Sequence, residues 1–348
     1  MASDARRLNE LLRPMSEPRV LDGVYTDDQH ERMLDVIKRD GPWRTIMAQH
    51  FDSVEELMAT SNGGGVDKSG LTLDDLATAN FRGTFGKGST CLYPQLEDCY
   101  YSSKFLQLAR DYWDAQYSRP TLMLFNLCGP HHSSLNAHLD AVTFRGIRIE
   151  NAPVWLQNVM GRSGLFTEYM VKMAQVITWW YLGENGTFTY WPDGPLGEPS
   201  RLEHPLWNKG VVVQNEMMFH RGDPAGRPDE RDITGLKNRS LLQYDAGAGD
   251  WVITTDGEVI RRYQPQQMRL LVHWSAEVYS DAEELEMNLD RSRDLTFDVV
   301  FERLLADLKA RGVHVTEPSD PLHDRYFIRA LTANYSIVPT KDWAKEAA

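Results

Sequence analysis

Cysteine is scarce in this 348-residue chain. Cys91, Cys99 and Cys128 form neither a C-x-x-C pair nor an even set, which excludes a disulfide framework and fits a reducing compartment. Positive charge is also in deficit, with 37 Lys and Arg against 50 Asp and Glu and a formal net charge of -13. The basic face that draws in nucleic-acid phosphates is therefore missing, and no nucleic-acid partner is expected. No apolar run is long enough to span a bilayer, and the stretch from Met1 to Arg7 leads into no apolar signal segment; a cytoplasmic protein without a membrane partner is expected. Internal repeats, low-complexity segments and single-sign charge tails are lacking as well. Two motifs of other enzymes are present only in part. Gly161-Arg-Ser-Gly-Leu165 has Leu165 where a nucleophile elbow needs its last glycine, and in Gly83-Thr-Phe-Gly-Lys-Gly-Ser-Thr90 a phosphate loop would need Ser or Thr at Gly88. What is there, 42% hydrophobic and 25% charged residues, describes an ordinary globular protein with enough chain for one large core or two ordinary ones.

Residues 1–118 read as helices with loops. Thr26 with Gln29 makes a capping box ahead of Met33, Leu34, Val36 and Ile37, Ser53 with Glu56 repeats the signal, and Ser61-Asn-Gly-Gly-Gly65 breaks the chain. A further helix is expected over about 96–117, where Leu106, Ala109, Tyr112 and Trp113 recur at helical spacing. The texture changes at Arg119-Pro120. Short apolar runs follow at 121–128, 138–144, 176–182, 187–191, 210–220, 240–244, 251–255, 258–263 and 269–279. Gly183-Glu-Asn-Gly186 and Asp256-Gly257 read as hairpin turns. Many short strands without alternating helices indicate an antiparallel barrel or sandwich. Beyond Tyr279, Phe297, Val300, Phe301, Leu304, Leu305 and Leu308 form a helical stripe with Thr296 as N-cap and Gly312 past its end. Docking of that stripe onto the barrel is expected.

The stretch that organises the chain is Asn136-Ala137-His138-Leu139-Asp140. Alternate residues of an extended segment share a face, so His138 and Asp140 point the same way and can hold one metal ion, with His220 of Met217-Met218-Phe219-His220-Arg221 as third ligand. Two imidazoles and a carboxylate leave metal positions open for small molecules and O₂, the arrangement of non-haem Fe(II) oxygenases. An H-x-[DE] triplet alone means little, since chance supplies roughly one in a chain of this composition. A second triplet, His50-Phe51-Asp52, lies between helix signals and reads as structural. His138 differs in its strand-rich context and in the strand-borne histidine 80 residues after Asp140.

With these residues the chain resembles the Fe(II)- and 2-oxoglutarate-dependent oxygenases, whose double-stranded β-helix carries H-x-D, a distal His and a downstream Arg. Residues 119–279 carry the resemblance, and Asn208 to Arg221 looks like the family's run into the distal His, leaning toward the phytanoyl-CoA-hydroxylase-like branch. The resemblance implies an α+β, mainly β fold: a jelly-roll, cupin-like barrel over 119–279, a helical buttress over 1–118 and a helical extension over 280–348, integrated as one catalytic domain. It also implies Fe(II), 2-oxoglutarate and O₂ as cofactor and co-substrates, and hydroxylation or desaturation of an unactivated C–H bond of a small molecule, with succinate and CO₂ as co-products. The far carboxylate of 2-oxoglutarate needs a fixed guanidinium. Arg239, with Ser240 beside it, opens the first strand after His220 and is preferred; Arg269 is the rival if about 222–267 is an insertion. Alternatives are a cupin-like metal dioxygenase or isomerase that does not use 2-oxoglutarate, and a non-catalytic metal-binding barrel. Trp179, Trp180, Tyr181, Tyr190 and Trp191 crowd one segment, so an apolar or ring-bearing substrate is expected.

Overall fold

A computed structural model describes residues 2–61, 70–133 and 136–339; most of the expected break at 61–65 lies outside the described residues. Fourteen strands are described: β1 (Arg19–Asp22), β2 (Trp43–Thr45), β3 (Asn80–Lys87), β4 (Thr90–Cys91), β5 (Tyr117–Cys128), β6 (Lys172–Tyr181), β7 (Phe188–Tyr190), β8 (Ser200–Leu202), β9 (Leu206–Val213), β10 (His220–Gly222), β11 (Leu241–Asp245), β12 (Asp250–Thr255), β13 (Glu258–Tyr263) and β14 (Arg269–Tyr279). The large sheet runs β1-β9-β6-β14-β5-β3-β2-β11-β12-β13 with β4 on β3, and a small sheet runs β10-β7-β8. Every pairing is antiparallel.

The winding follows from how the chain alternates between these sheets. From β5 in the large sheet it crosses to the small one, where His138 bridges His220, returns as β6, crosses again as β7 and β8, returns as β9, crosses as β10 and comes back as β14. That alternation is a double-stranded β-helix, the jelly-roll expected. Ile177, Trp179, Val211 and Val213 on the large sheet pack against Phe188, Leu202 and Met218 in the layer between the sheets. The same alternation corrects two expectations. Gly183 to Gly186 is no hairpin: β6 pairs with β14 and β9, whereas β7 pairs with β10 and β8. Turn composition sets the local reversal and leaves open which sheet receives the next strand. Residues 138–144 are likewise not a regular strand but an irregular run held at two bridges, His138 to His220 and Phe144 to Met170.

The outer face of the large sheet is covered by the Asp27–Arg39 and Ser103–Trp113 helices, whose Met33, Val36, Ile37, Phe105, Ala109 and Tyr112 pack on residues such as Trp180, Val272 and Trp274. Thr26 and Gln29 form the expected reciprocal cap. Ser53 caps the Val54–Thr60 helix, while the Glu56 side chain accepts from the Asp52 N–H. Residues 1–118 are not only helical, because β1, β2 and β3 extend the large sheet itself. The Phe297–Ala310 helix, capped by Thr296, buries Val300, Phe301, Leu304 and Leu308 in a second core. Two helices that sequence patterning missed, Val154–Ser163 and Arg325–Asn334, share that core with Ala137, Leu139, Val142 and Phe144. No helix among the described residues is long and apolar enough to cross a membrane.

Candidate metal centre

Leu139 decides the direction of its neighbours. Its side chain is wholly buried in the helical core, which turns His138 and Asp140 the other way, toward the interior between the sheets. His138 and His220 exchange both backbone hydrogen bonds, each 3.0 Å, and their ring centroids lie 4.5 Å apart. The Asp140 N–H donates to the Asn215 carbonyl at 3.1 Å, and its Oδ1 lies 3.5 Å from His220 Nε2. One ligand atom from each of His138, Asp140 and His220 lies within 4.8 Å of the other two. Three side chains separated by up to 82 positions in sequence thus converge on a space of ionic size.

Main-chain carbonyls set the tautomer of both imidazoles. His138 Nδ1 lies 2.8 Å from the Asn136 carbonyl and His220 Nδ1 lies 3.0 Å from the Met218 carbonyl. A carbonyl only accepts, so each Nδ1 carries a proton and Nε2 is left as the ring nitrogen a metal can take up. Burial, then the neighbouring His220, lowers the His138 pKa to about 4. Burial opposes the charge on Asp140, but His220, His273 and His138 more than offset it and hold the carboxyl below its usual range. Neutral imidazole beside ionised carboxylate is the protonation pattern of an iron site.

The structure separates the two arginines. Arg239 is half-exposed, with Nε and Nη2 on Asp256 at 2.7 Å each and Nη1 on Asp74 at 3.0 Å. Ser240 is buried away from the triad, its Oγ 2.6 Å from Thr255 Oγ1 and accepting from the Lys237 N–H. Both therefore lie outside the triad's cavity, because β11 to β13 carry the chain to the far edge of the large sheet. Arg269 opens β14, beside β5 and β6, and lines the same cavity as His138, Asp140 and His220. It is 4% exposed, its Nε donates to the Gly186 carbonyl at 2.8 Å, and its Nη2 is buried with no hydrogen-bond partner. The guanidinium sits 5.9 Å from the centre of the Trp179 ring. Arg221, ruled out by its direction, pairs with Asp223 at 2.7 Å.

That inner cavity, about 130 Å³, runs from the triad past Leu271, Ile177 and Phe188 to Trp179 and Arg269. His131 also lines it, with its pKa pushed down to about 3 by burial and by Arg269. A second cavity of about 370 Å³ shares Arg82, Asp140 and His273 with the first. A third, of about 720 Å³, shares Lys87, Thr121, Arg148, Glu150 and Glu277 with the second and continues to the surface. The aromatic residues expected to shape the substrate do not line the second cavity. Trp179 belongs to the inner one, Trp180 stacks on His30 on the outer face of the sheet, Tyr190 stacks on Phe188, and Trp191 is buried with the helical core. Gln49, Thr84, Thr143, Gln175, Glu216 and Ser275 line the second cavity instead. The expected aromatic residues therefore do not shape that cavity, since alternation along β6 sends neighbouring tryptophans to opposite faces; Leu122, Leu124, Ile149 and Met173 supply its apolar wall.

Sequence reading missed Arg82, His50, His273 and Glu216 as lining residues. His273 alone carried a signal, as the fifth residue of β14 on the same face as Arg269. Glu216 is 3% exposed, and Thr143 donates to it from its hydroxyl at 3.0 Å and from its N–H at 3.4 Å. Burial pushes its pKa from 4.5 up to about 8. The folded state therefore holds a proton that the unfolded chain releases above pH about 4.5, and stability drains as pH rises through about 8. Glu216→Gln removes that drain. Its melting temperature relative to the parent is expected to rise by roughly 5 °C between pH 5 and pH 8, and parallel melting curves across that range would count against the assignment.

No protein-family model matches the chain, and no curated protein sequence does. Among solved structures it is similar to an oxidoreductase of the 2OG-Fe(II) oxygenase family from Burkholderia pseudomallei (10% identity, 80% of this chain and 92% of that one, TM-score 0.39). It is similar also to a Pseudomonas putida prolyl-4-hydroxylase (10% identity, 80% and 100% covered, TM-score 0.35). A third likeness is to HygX from Streptomyces hygroscopicus, with nickel and 2-oxoglutarate bound (8% identity, 82% and 94% covered, TM-score 0.36). Superpositions this loose carry no weight of their own, and the functional reading rests on the side chains of the site.

Proposed function

We propose that the protein is an Fe(II)- and 2-oxoglutarate-dependent oxygenase that hydroxylates or desaturates a C–H bond of a small molecule. One observation carries this reading: the inward-facing His138, Asp140 and His220 line the same cavity as Arg269, whose Nη2 is buried without a partner. An orphaned buried N–H costs roughly 1–3 kcal/mol, and a carboxylate satisfies it. When bound, iron and 2-oxoglutarate supply the oxidising power for C–H chemistry by consuming O₂ and releasing succinate and CO₂. His138 and His220 offer fixed Nε2 lone pairs, Asp140 offers the charge, and Arg269 anchors the distal carboxylate of the co-substrate from the far end of the cavity. Ile177, Leu271, Phe188 and Trp179 between them keep water from that carboxylate, which strengthens the ion pair. The second cavity, of mixed polar and apolar lining, meets the triad at Asp140 and receives the substrate. We place the protein in the cytoplasm, where its free cysteines stay reduced.

The test is succinate release. Protein purified without oxygen is given Fe(II), 2-oxoglutarate and then O₂, and succinate and O₂ uptake are measured together. Slow succinate formation that needs both iron and 2-oxoglutarate is expected even without the true substrate. O₂ uptake independent of 2-oxoglutarate would move the protein to the cupin-like oxygenases, and failure to bind iron would leave a barrel without redox chemistry.

A further inference from the structure

Arg82 is a charge at the site that the proposed chemistry leaves without a role. It lies on β3, beside β5, and lines both the inner and the second cavity where they meet at Asp140 and His273. Its Nε donates to Asn126 Oδ1 at 2.8 Å, and its Nη1 meets His50 Nε2 at 2.6 Å. Neither an amide nor an imidazole carries a negative charge here, and burial and Arg82 itself lower the His50 pKa to about 3, which keeps it neutral. Among the described residues no carboxylate forms an ion pair with this guanidinium, and its Nη2 makes no hydrogen bond. Apart from Asp140 and Arg269, which the proposed reaction uses, and Glu216, whose carboxyl burial favours in its protonated form, the other charges along the two cavities have partners. Glu277 is paired with Arg119 and Arg148, Glu150 with Lys87, and Asp223 with Arg221 and Arg201.

A partly buried cation on a cavity wall, with no carboxylate bonded to it, is available to a ligand that supplies the missing charge. The proposed reaction components do not supply it. A divalent ion on Asp140 and a doubly negative 2-oxoglutarate on Arg269 balance one another, and Arg82 is left over. Asn126 and His50 meanwhile hold the guanidinium by two of its nitrogens, the preorganisation that planar recognition of a carboxylate uses. Resting on the oxygenase reading above, we infer that the substrate bears a carboxylate, that Arg82 receives it at the junction of the two cavities, and that the rest of the molecule occupies the second cavity. Arg82 is thus the specificity-determining residue for an acidic small molecule, with Asn126 and His50 as its positioning residues.

Fluorine NMR on the metal-loaded protein tests this without knowledge of the true substrate. Binding of Mn(II) and of 2-oxoglutarate is first measured by calorimetry, and the saturated complex is then titrated with a terminally fluorinated butyrate or with the corresponding amide. Paramagnetic broadening of the fluorine line reports a probe close to the metal. The carboxylate is expected to broaden several-fold more than the amide; Arg82→Gln brings it down to the amide's level and Arg82→Lys keeps part of the difference, while 2-oxoglutarate binding is unchanged in both. Equal broadening of carboxylate and amide by the parent protein overturns the inference without any variant, as does equal broadening by the parent and Arg82→Gln. Loss of 2-oxoglutarate binding in Arg82→Gln would assign Arg82 to the co-substrate and also overturn it. Absence of Mn(II) or 2-oxoglutarate binding in the first step would remove the oxygenase reading, and this inference with it.

Discussion

His220→Ala is expected to lose iron binding and, with it, succinate formation by more than about a hundredfold, since removing even an outer partner of a metal ligand costs 10- to 100-fold. The reason lies in how few groups hold the ion. Among the described residues only His138, Asp140 and His220 form a group able to bind a metal, so two ligands remain after any single loss. His138→Ala and Asp140→Ala are expected to match it. Anaerobic calorimetry with Fe(II) checks binding apart from turnover, and circular dichroism checks the fold. His273→Ala is the informative contrast: it lines the same cavity and bonds to Ser275 Oγ at 3.0 Å, yet it lies outside the ligand group. Iron binding that survives His220→Ala and fails in His273→Ala would redraw the site.

Arg269→Ala is expected to raise the KM for 2-oxoglutarate far more than it lowers kcat. Removing one partner of a buried, hydrogen-bonded charge pair costs about 2–5 kcal/mol, on the order of 30- to 3,000-fold in affinity. Arg239→Ala is expected to leave the KM within about twofold of the parent, because exposed ion pairs contribute little and both of its carboxylate partners are its own neighbours in the fold. Initial rates of succinate formation over a 2-oxoglutarate series decide between them. A strong KM effect from Arg239 with none from Arg269 would return the role to the arginine that sequence spacing favoured.

The choice between those arginines shows where sequence legibility ended. The metal group was legible because Leu139 separates two ligands by a single residue and β-type alternation is local. β14 was legible for the same reason, and its bounds, Arg269–Tyr279, agree with the apolar run. Arg269 was named only as the rival to Arg239, because preferring it required knowing that 222–267 departs to the far edge of the large sheet and returns. Strand pairing across more than a hundred residues leaves no mark in a local pattern. Arg82 was hidden differently. Gly83 and Gly86 gave its strand the look of an incomplete phosphate loop, whereas a Cβ at Gly83 would fall 2.5 Å from the rings of Phe125 and Trp43, and one at Gly86 would fall 2.6 Å from Tyr100. Those glycines make room for aromatic rings behind the sheet. Their cause is packing, and composition alone cannot tell packing from ligand binding.

The carbonyls of Asn136 and Met218 that steer the two imidazoles have a consequence for how the protein lives with its ion. Because the backbone aims the side chains, the site proposed for iron is shaped by the fold itself. On the proposed reading, a chelator is expected to empty the site without collapsing it, so that an apoprotein keeps its shape and can be recharged.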